Sequence, residues 1–544
     1  MGRAVYLDKD DLSDLLRAAF RASGNEVDMD GEFYVNNLKA KKENTMLNIG
    51  NRRECFFDSF LIDEEKTTAE RRLHKPTRKN IVFKLDKPWD GKYTTFFCIF
   101  FAEGKWRMYY TSKISGKEKY ISYAESEDGV NFERPELGIV EYCGSKKNNI
   151  IMNLDMLREF EFTGFDNFSV FYDENPSCLP DEKYKMVAWW QGHASLLALF
   201  SADGKHFGKP RLVTDDGEFD SQNRAFFSKY HNKYFCYYRG EHEPDESISV
   251  IDRSYTDKVA NALFDPETFL LREPGEGTFS FMRDVCVIES RDFVNWSPRK
   301  RISYTGNDYQ LYNNVVFPYP RAPQMLVAFP LRYVERKAWT KNYDELCGRE
   351  NRLERMKMMA RMGLAITDGL FMCSRDGYNF TKYDEAFLRP CPENPESFVY
   401  GDGTAAPALI ETPSDIPSAD NEYSIFCREN FRTKDGYNQL VRYTIRLDGF
   451  VSLHAGGEER LAVTKPFVYS GSELYVNVET SARGYAYFTL SSTDGEYTSI
   501  EVFGNSADKR VRFEDDGIIA RLSGKEVVLS VRMFDADLYS IRFS

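Results

Sequence analysis

Apolar and polar residues alternate in short runs along most of the chain, the period-two pattern of half-buried strands. One run type recurs. It opens on a basic or polar residue and continues as an aromatic-rich strand: GKWRMYYTS from Gly104, EKYKMVAWW from Glu182, NKYFCYYRG from Asn232 and NEYSIFCRE from Asn421. A less similar fifth copy, PQMLVAFPLRY, begins at Pro323. Each copy is preceded by another strand: TTFFCIFF from Thr94, DNFSVFYDE from Asp166, QNRAFFSKY from Gln222, YNNVVFPYP from Tyr312 and GTAAPALIE from Gly403. Each is followed by a strand closing on a tight turn and an aromatic: ESEDGVNF, SADGKHF, SRDFVNW, SRDGYNF and RLDGF, ending at Phe132, Phe207, Trp296, Phe380 and Phe450. Asp and Gly supply the turn, and the aromatic after it anchors the next strand in the core.

The order strand, strand, turn, outer strand therefore occurs five times, with 75, 89, 84 and 70 residues between successive turn aromatics. A four-stranded blade cannot bury both faces alone, so five of them predict a closed ring, a five-bladed β-propeller with blade-specific loops. Stacked sandwiches built from the same hairpins are the alternative, and the conserved segment order within the chain favours the ring.

Three stretches break the repeat. DKDDLSDLLRAAFRASG, from Asp8, predicts an amphipathic helix with acids in its first turn and Gly24 past its end. CFFDSFLID, from Cys55, predicts a strand entering the propeller. Residues 335–362 form a charged, helix-prone insert that is expected to cover the pocket, meet another subunit or stand in solvent. After Phe450 the alternation continues in a compact all-β module of about 90 residues, read as a sandwich. The expected division is a helical extension over 1–54, a propeller over 55–450 and a β-sandwich over 451–544.

Composition adds limits. The chain has 544 residues, 42% hydrophobic and 29% charged, which is soluble and globular in character. Its net charge of −13 argues against a nucleic-acid partner. Aromatics reach 15%, and such faces also stack on sugar rings. The N-terminus carries acids where a signal peptide needs an apolar core, and no run of 18 apolar residues predicts a membrane span. Met1-Gly2 invites myristoylation, but Tyr6 stands where Ser or Thr is preferred. The ten Cys are scattered, without a CxxC pair, and predict free thiols in a cytoplasmic protein. No metal motif, nucleophile elbow or phosphate loop is present, so no cofactor or metal is expected.

In a propeller the innermost strands start at a central funnel, so polar residues there converge on the axis. The strand starts offer Asp90, Asp166, Asp220, Asp308 and Asp402. Asp166, Asp220 and Asp308 are the chosen catalytic carboxylates because each sits beside hydroxyl-recognising neighbours: Asn167, then Gln222 and Asn223, then Tyr309 and Gln310. A turn or bulge cap is the competing reading for each. Arg224, Arg239 and Arg283 fall where a buried guanidinium needs an anion, either one of these carboxylates or an acidic sugar. Glu241 and Glu429 are weaker acid candidates, and Asp203, Asp292, Asp376 and Asp448 belong to the turns.

DGVNFERPELGIVEYCGSKKNNIIM, FDSQNRAFF with its following YYRG, and SRDFVNWSP resemble bacterial glycoside-hydrolase-like five-bladed propeller proteins. FFDSFLIDEEKTTAERRLHKP resembles their lead-in segment, and the resemblance spans residues 55–544. The architecture is similar to that of the invertase, levansucrase and arabinanase group, whose members place three acids on inner strands. The WMNDPNG, RDP and EC motifs of that group are absent. The resemblance implies a glycoside hydrolase acting on an oligosaccharide, with no nucleic acid or membrane partner and a homo-oligomer as an option. An inverting phosphorylase or transglycosidase, and a non-catalytic glycan binder, are the alternatives.

Overall fold

The alternating runs fold into antiparallel sheets taken in chain order. In the computed structural model residues 46–544 are described, apart from 115–117, 161–163, 192, 246, 273–274, 276–277, 314, 391–393, 395, 432 and 434–437. The expected helix over 8–24 lies outside the described residues. The described chain is mostly β, in a propeller-like arrangement.

The first sheet orders Thr95–Ala102, Lys105–Lys113, Lys119–Ser126 and Ile150–Asn153. The second orders Phe165–Tyr172, Tyr184–Trp190, Ser195–Ser201 and Arg211–Thr214. The third orders Arg224–Ser228, Lys233–His242, Met282–Ser290 and Lys300–Arg301. A seven-stranded sheet follows, centred on Ala365–Ser374 and Asn379–Leu388. The last of the series orders Ile410–Thr412, Glu422–Glu429, Gln439–Arg446 and, from far upstream, Thr77–Lys84.

The recurring turns have one geometry. Ser126 Oγ accepts the Gly129 N–H at 2.9 Å, and Asp128 Oδ1 accepts the N–H groups of Val130 and Asn131, both at 2.8 Å. The same Ser-x-Asp pattern is built by Ser201 and Asp203, Ser290 and Asp292, and Ser374 and Asp376. The position after Asp has φ 76°, 74° and 84° in Gly129, Gly204 and Gly377, the left-handed region that glycine tolerates best. In the third sheet Phe293 holds it at φ 62°, and its ring is 2% exposed against Tyr234 and Trp296. Burial of that ring, about 2 kcal/mol, offsets the backbone cost.

Each turn aromatic enters a hydrophobic cluster shared by two sheets. Phe132 joins the cluster of the last and first sheets with Phe426 and Met108, and Phe207 that of the first and second. Trp296 packs on the second and third, Phe380 on the third and fourth, and Phe450 on the fourth and last. Where neighbouring inner strands diverge too far for a ladder, amide side chains bridge them. Asn223 donates to the Asn167 carbonyl from its backbone N–H at 3.0 Å and from Nδ2 at 2.8 Å. Gln222 donates its backbone N–H to Asn313 Oδ1 at 3.1 Å.

The segment at Cys55 departs from the expectation. Arg53–Cys55 pairs with Glu526–Phe543 in a ten-stranded sheet rather than entering the propeller-like series. Leu47–Gly50 and Glu70–Leu73 join the same sheet, and the propeller-like strand comes later, at Thr77. The reason is pairing demand: the last sheet lacks a fourth strand, and the long Leu474–Ser492 and Glu526–Phe543 pair leaves edges that must be covered. Phe57, fully buried, then packs on Tyr319, Phe371 and Phe450 with centroids 5.4–5.7 Å apart. Beside it Asp448, also fully buried, takes Arg53 at 3.2 Å, Tyr319 OH at 2.7 Å and Ser540 Oγ at 2.8 Å, tying the C-terminal sheet to the rest. The 335–362 insert contains the helices Lys341–Glu345 and Arg349–Met358, and a third, Arg361–Leu364, begins at its end.

Candidate active site

The starts of the inner strands of the second and third sheets lie side by side. Asn167 adopts φ 55° where the pairing of Tyr184–Trp190 with Phe165–Tyr172 shifts register, a bulge that re-aims the side chains around it. Asp166, 6% exposed, receives Lys119 Nζ at 2.6 Å, Lys113 Nζ at 3.3 Å and the Asn167 N–H at 3.0 Å. Burial works to raise its pKa, but the two ammonium groups outweigh it and hold the carboxyl below the usual carboxylate range. Asn167 Nδ2 donates to Asp220 Oδ1 at 3.3 Å, so one amide links the Asp166 and Asp220 loops. Asp220 also takes Arg239 Nη1 at 3.2 Å, and its side chain is 60% exposed, so it stands at an open mouth.

Glu241 follows Arg239 by two residues and so lies on the same face of its strand, opposite Arg283 in the ladder. Its side chain is exposed at the end of the strand, and partial desolvation by the strands around it, with Glu218 and Asp220 adding and Arg239 and Arg283 opposing, moves its carboxyl above the ordinary range. Below this mouth the Arg239 guanidinium lies 5.0 Å from the Tyr312 ring centroid, and that of Arg283 lies 5.6 Å from Tyr312 and 4.7 Å from Tyr333. Tyr400 stands edge-on to both tyrosines at 5.3 and 5.4 Å, and Arg361 lies 5.7 Å from its ring. The insert thus reaches the site through its last helix.

The other candidates take different places. Asp308 receives His242 Nε2 at 2.8 Å and Tyr304 OH at 2.6 Å, and Arg301 approaches to 3.7 Å. His242 also meets buried Asp284 at 3.1 Å. Burial lowers the His242 pKa, but the two carboxylates prevail and raise it to about 9, so the imidazolium is the stable form there. Among the described residues no hydrogen bond or ion pair joins Asp308 to Asp166 or Asp220. Tyr309 stacks under Arg332 at 4.9 Å and Lys382 at 4.8 Å. Gln310 Oε1 accepts Arg283 Nη1 at 2.7 Å, which positions that guanidinium. Gln222 is buried among inner strands, near the Phe97 and Phe168 carbonyls at 3.4 and 3.5 Å. Arg224 donates to the Val316 carbonyl at 3.4 Å, and burial lowers its pKa to about 10.

Asp90 and Asp402 are caps. Asp90, fully buried, accepts the Lys87 N–H at 3.0 Å, Tyr110 OH at 3.1 Å and Arg134 Nη2 at 2.8 Å. Asp402 accepts the N–H groups of Asn430 at 3.1 Å and Phe431 at 2.9 Å, at the edge of a water-sized cavity of about 20 Å³. Glu429 is claimed by Arg78 through two contacts of 2.9 Å and by Tyr443 OH.

Sequence reasoning passed over Lys113, Lys119, the three tyrosines and Arg361. The lysines flank one hairpin of the first sheet, and Tyr312 sits in an inner-strand start already singled out; Tyr400 lies in a loop and Arg361 opens a one-turn helix, and no local pattern encodes where either ends up. Among the described residues no group of three His, Cys, Asp or Glu is placed to hold a metal.

No known protein family and no curated protein matches the chain. Solved structures similar to it include an N-acetylgalactosamine deacetylase from F. plautii, with 12% identity and a TM-score of 0.37, covering 72% of this chain and 94% of that one. A glycoside hydrolase family 43 arabinoxylan arabinofuranohydrolase from Bacillus subtilis is 11% identical with a TM-score of 0.34, covering 86% and 99%. An exo-β-1,3-galactanase from Phanerochaete chrysosporium is 9% identical with a TM-score of 0.35, covering 87% and 99%.

Proposed function

We propose that the chain is a five-bladed β-propeller with a C-terminal β-sandwich, acting as a glycoside hydrolase on an oligosaccharide at the mouth of its inner strands. Five inter-sheet clusters, one of which joins the last sheet to the first, support the closed ring. The observation that carries the activity is the chain Asp166–Asn167–Asp220–Arg239, which gathers carboxylates of two neighbouring strand starts beside Glu241.

Glycosidic cleavage uses one carboxyl group as acid and another as nucleophile or base. Glu241, with its pKa raised, is the proton donor to the leaving oxygen in this reading. Asp220, exposed and oriented by Arg239 and Asn167, is the nucleophile or base. Asp166, held anionic by Lys113 and Lys119, stabilises positive charge developing on the sugar ring. Asp308 acts through His242 as a positioning residue on the strand that carries Glu241. The nine described cysteines are free thiols, which supports a cytoplasmic setting.

A glycan panel assayed with and without phosphate, on wild type and on the Asp166→Asn, Asp220→Asn, Glu241→Gln and Asp308→Asn variants, tests the assignment. Asp220→Asn and Glu241→Gln are expected to lose at least about 100-fold in turnover with melting unchanged. Near-native turnover in both overturns it. The guanidinium cluster also favours a second reading, phosphorolysis, and turnover that requires phosphate would establish that instead.

A further inference from the structure

Arg239 and Arg283 are 6% and 5% exposed, yet several of their donors point at nothing. Among the described residues Arg239 Nε and Nη2, Arg283 Nε, Gln310 Nε2 and Asn313 Nδ2 are buried without an acceptor. A buried donor without a partner is costly, and a guanidinium costs more than an amide. Asp220 engages one nitrogen of Arg239, and Gln310 and Ser254 engage one of Arg283. Arg239 is paired with the 60% exposed Asp220, and Arg283 stands opposite the exposed Glu241 in the ladder, so both guanidiniums border the open face of this strand pair.

The imbalance has a sign. Five unpaired atoms are donors, against a single unpaired acceptor nearby, Asn223 Oδ1. A neutral sugar hydroxyl both donates and accepts, and so leaves such a wall half matched. A carboxylate only accepts, with about four lone-pair sites on two oxygens, and the guanidinium fork fits it in a plane. Tyr312, between the two guanidiniums, holds their planes without drawing on their N–H groups. A carboxylate carries one charge, which the neighbouring Asp220 and Glu241 oppose less than a phosphate dianion.

We propose that Arg239 and Arg283, with Gln310, form an oxyanion subsite that takes the carboxylate of a uronic acid residue, so that the substrate is an acidic glycan. The proposal rests on the glycosidase reading of the same mouth. Free inorganic phosphate offers related chemistry, and the experiment separates the two.

Isothermal titration calorimetry on the full-length protein compares D-glucuronate with D-glucose, D-galacturonate with D-galactose, and inorganic phosphate. At least one uronate is expected to bind tenfold or more tighter than its neutral partner. Arg239→Gln and Arg283→Gln abolish that preference, and Arg283→Lys, which keeps the charge, retains part of it, with circular dichroism reporting the fold of each. Equal binding of uronate and neutral sugar overturns the proposal, as does a preference that survives all three substitutions. Phosphate binding that excludes uronate, or occurs without it, also overturns it and leaves phosphate as the oxyanion. Uronate binding with no hydrolysis of any glycan keeps the subsite and removes the hydrolase reading. Hydrolysis of neutral glycans with no uronate preference does the reverse.

Discussion

Replacing Asp402 by Asn should remove a pH dependence of stability that the wild-type fold cannot avoid. The side chain is 2% exposed, and burial pushes its carboxyl up to about 7 from an ordinary 3.8, against the two backbone N–H groups and Arg428 that favour the anion. The folded state therefore binds this proton more tightly than the unfolded chain does. Its stabilising contribution is complete below about pH 4 and is lost as pH rises through about 7. A gap of about three pH units at 1.36 kcal/mol each amounts to about 4 kcal/mol. Unfolding entropy near 2 cal/mol/K per residue makes that about 4 °C in melting temperature if the whole chain unfolds together. Asn keeps one acceptor for the N–H groups of Asn430 and Phe431 and loses the other, which costs about 1 kcal/mol at every pH. The diagnostic quantity is thus the slope rather than the height. Melting of wild type and Asp402→Asn, followed by circular dichroism from pH 5 to pH 9, should show the variant losing about 2 °C less across the range, because about two of the three pH units of the gap lie above pH 5. Parallel curves, or a steeper alkaline fall in the variant, would refute the argument that a buried, under-compensated carboxylate sits there.

Two further outcomes follow from the geometry. Asp448→Ala leaves Arg321 without its carboxylate and Arg53 with Asp508 alone at the C-terminal junction, and breaking such a buried pair costs about 3–5 kcal/mol; a fall of only a few tenths of a degree in melting temperature would contradict that role. If Glu241 is the proton donor, turnover falls as pH rises through its elevated pKa, because the acid must carry its proton. The alkaline limb of the rate profile should then lie above the ordinary glutamate range and vanish in whatever residual activity Glu241→Gln retains.

The blade strands were legible because period-two alternation and turn chemistry are local. GKWRMYYTS, EKYKMVAWW and NKYFCYYRG became the second strands of their sheets, and the Ser-x-Asp turns are closed by atoms within six residues of one another. Strand partnership across hundreds of residues was not legible. That Thr77–Lys84 completes a sheet with Gln439–Arg446, and that Arg53–Cys55 pairs with the C-terminal strand, depends on which edges remain unpaired after folding. At the site, the same local logic marked Asp166, Asp220 and Asn167 by their places at strand starts, and Arg239 and Arg283 as strand positions where a buried guanidinium needs an anion. It ranked Asp308 with Asp220 and above Asp166, because nothing in NDYQLYNN shows that His242 and Tyr304 are within reach of its carboxyl. It ranked Glu241 low, because its raised pKa comes from partial desolvation and from the charges of Glu218, Asp220, Arg239 and Arg283 around it. Alternation along one strand decides which way a side chain points; what it meets, and therefore its charge state, is decided only when strands from distant parts of the chain are brought together.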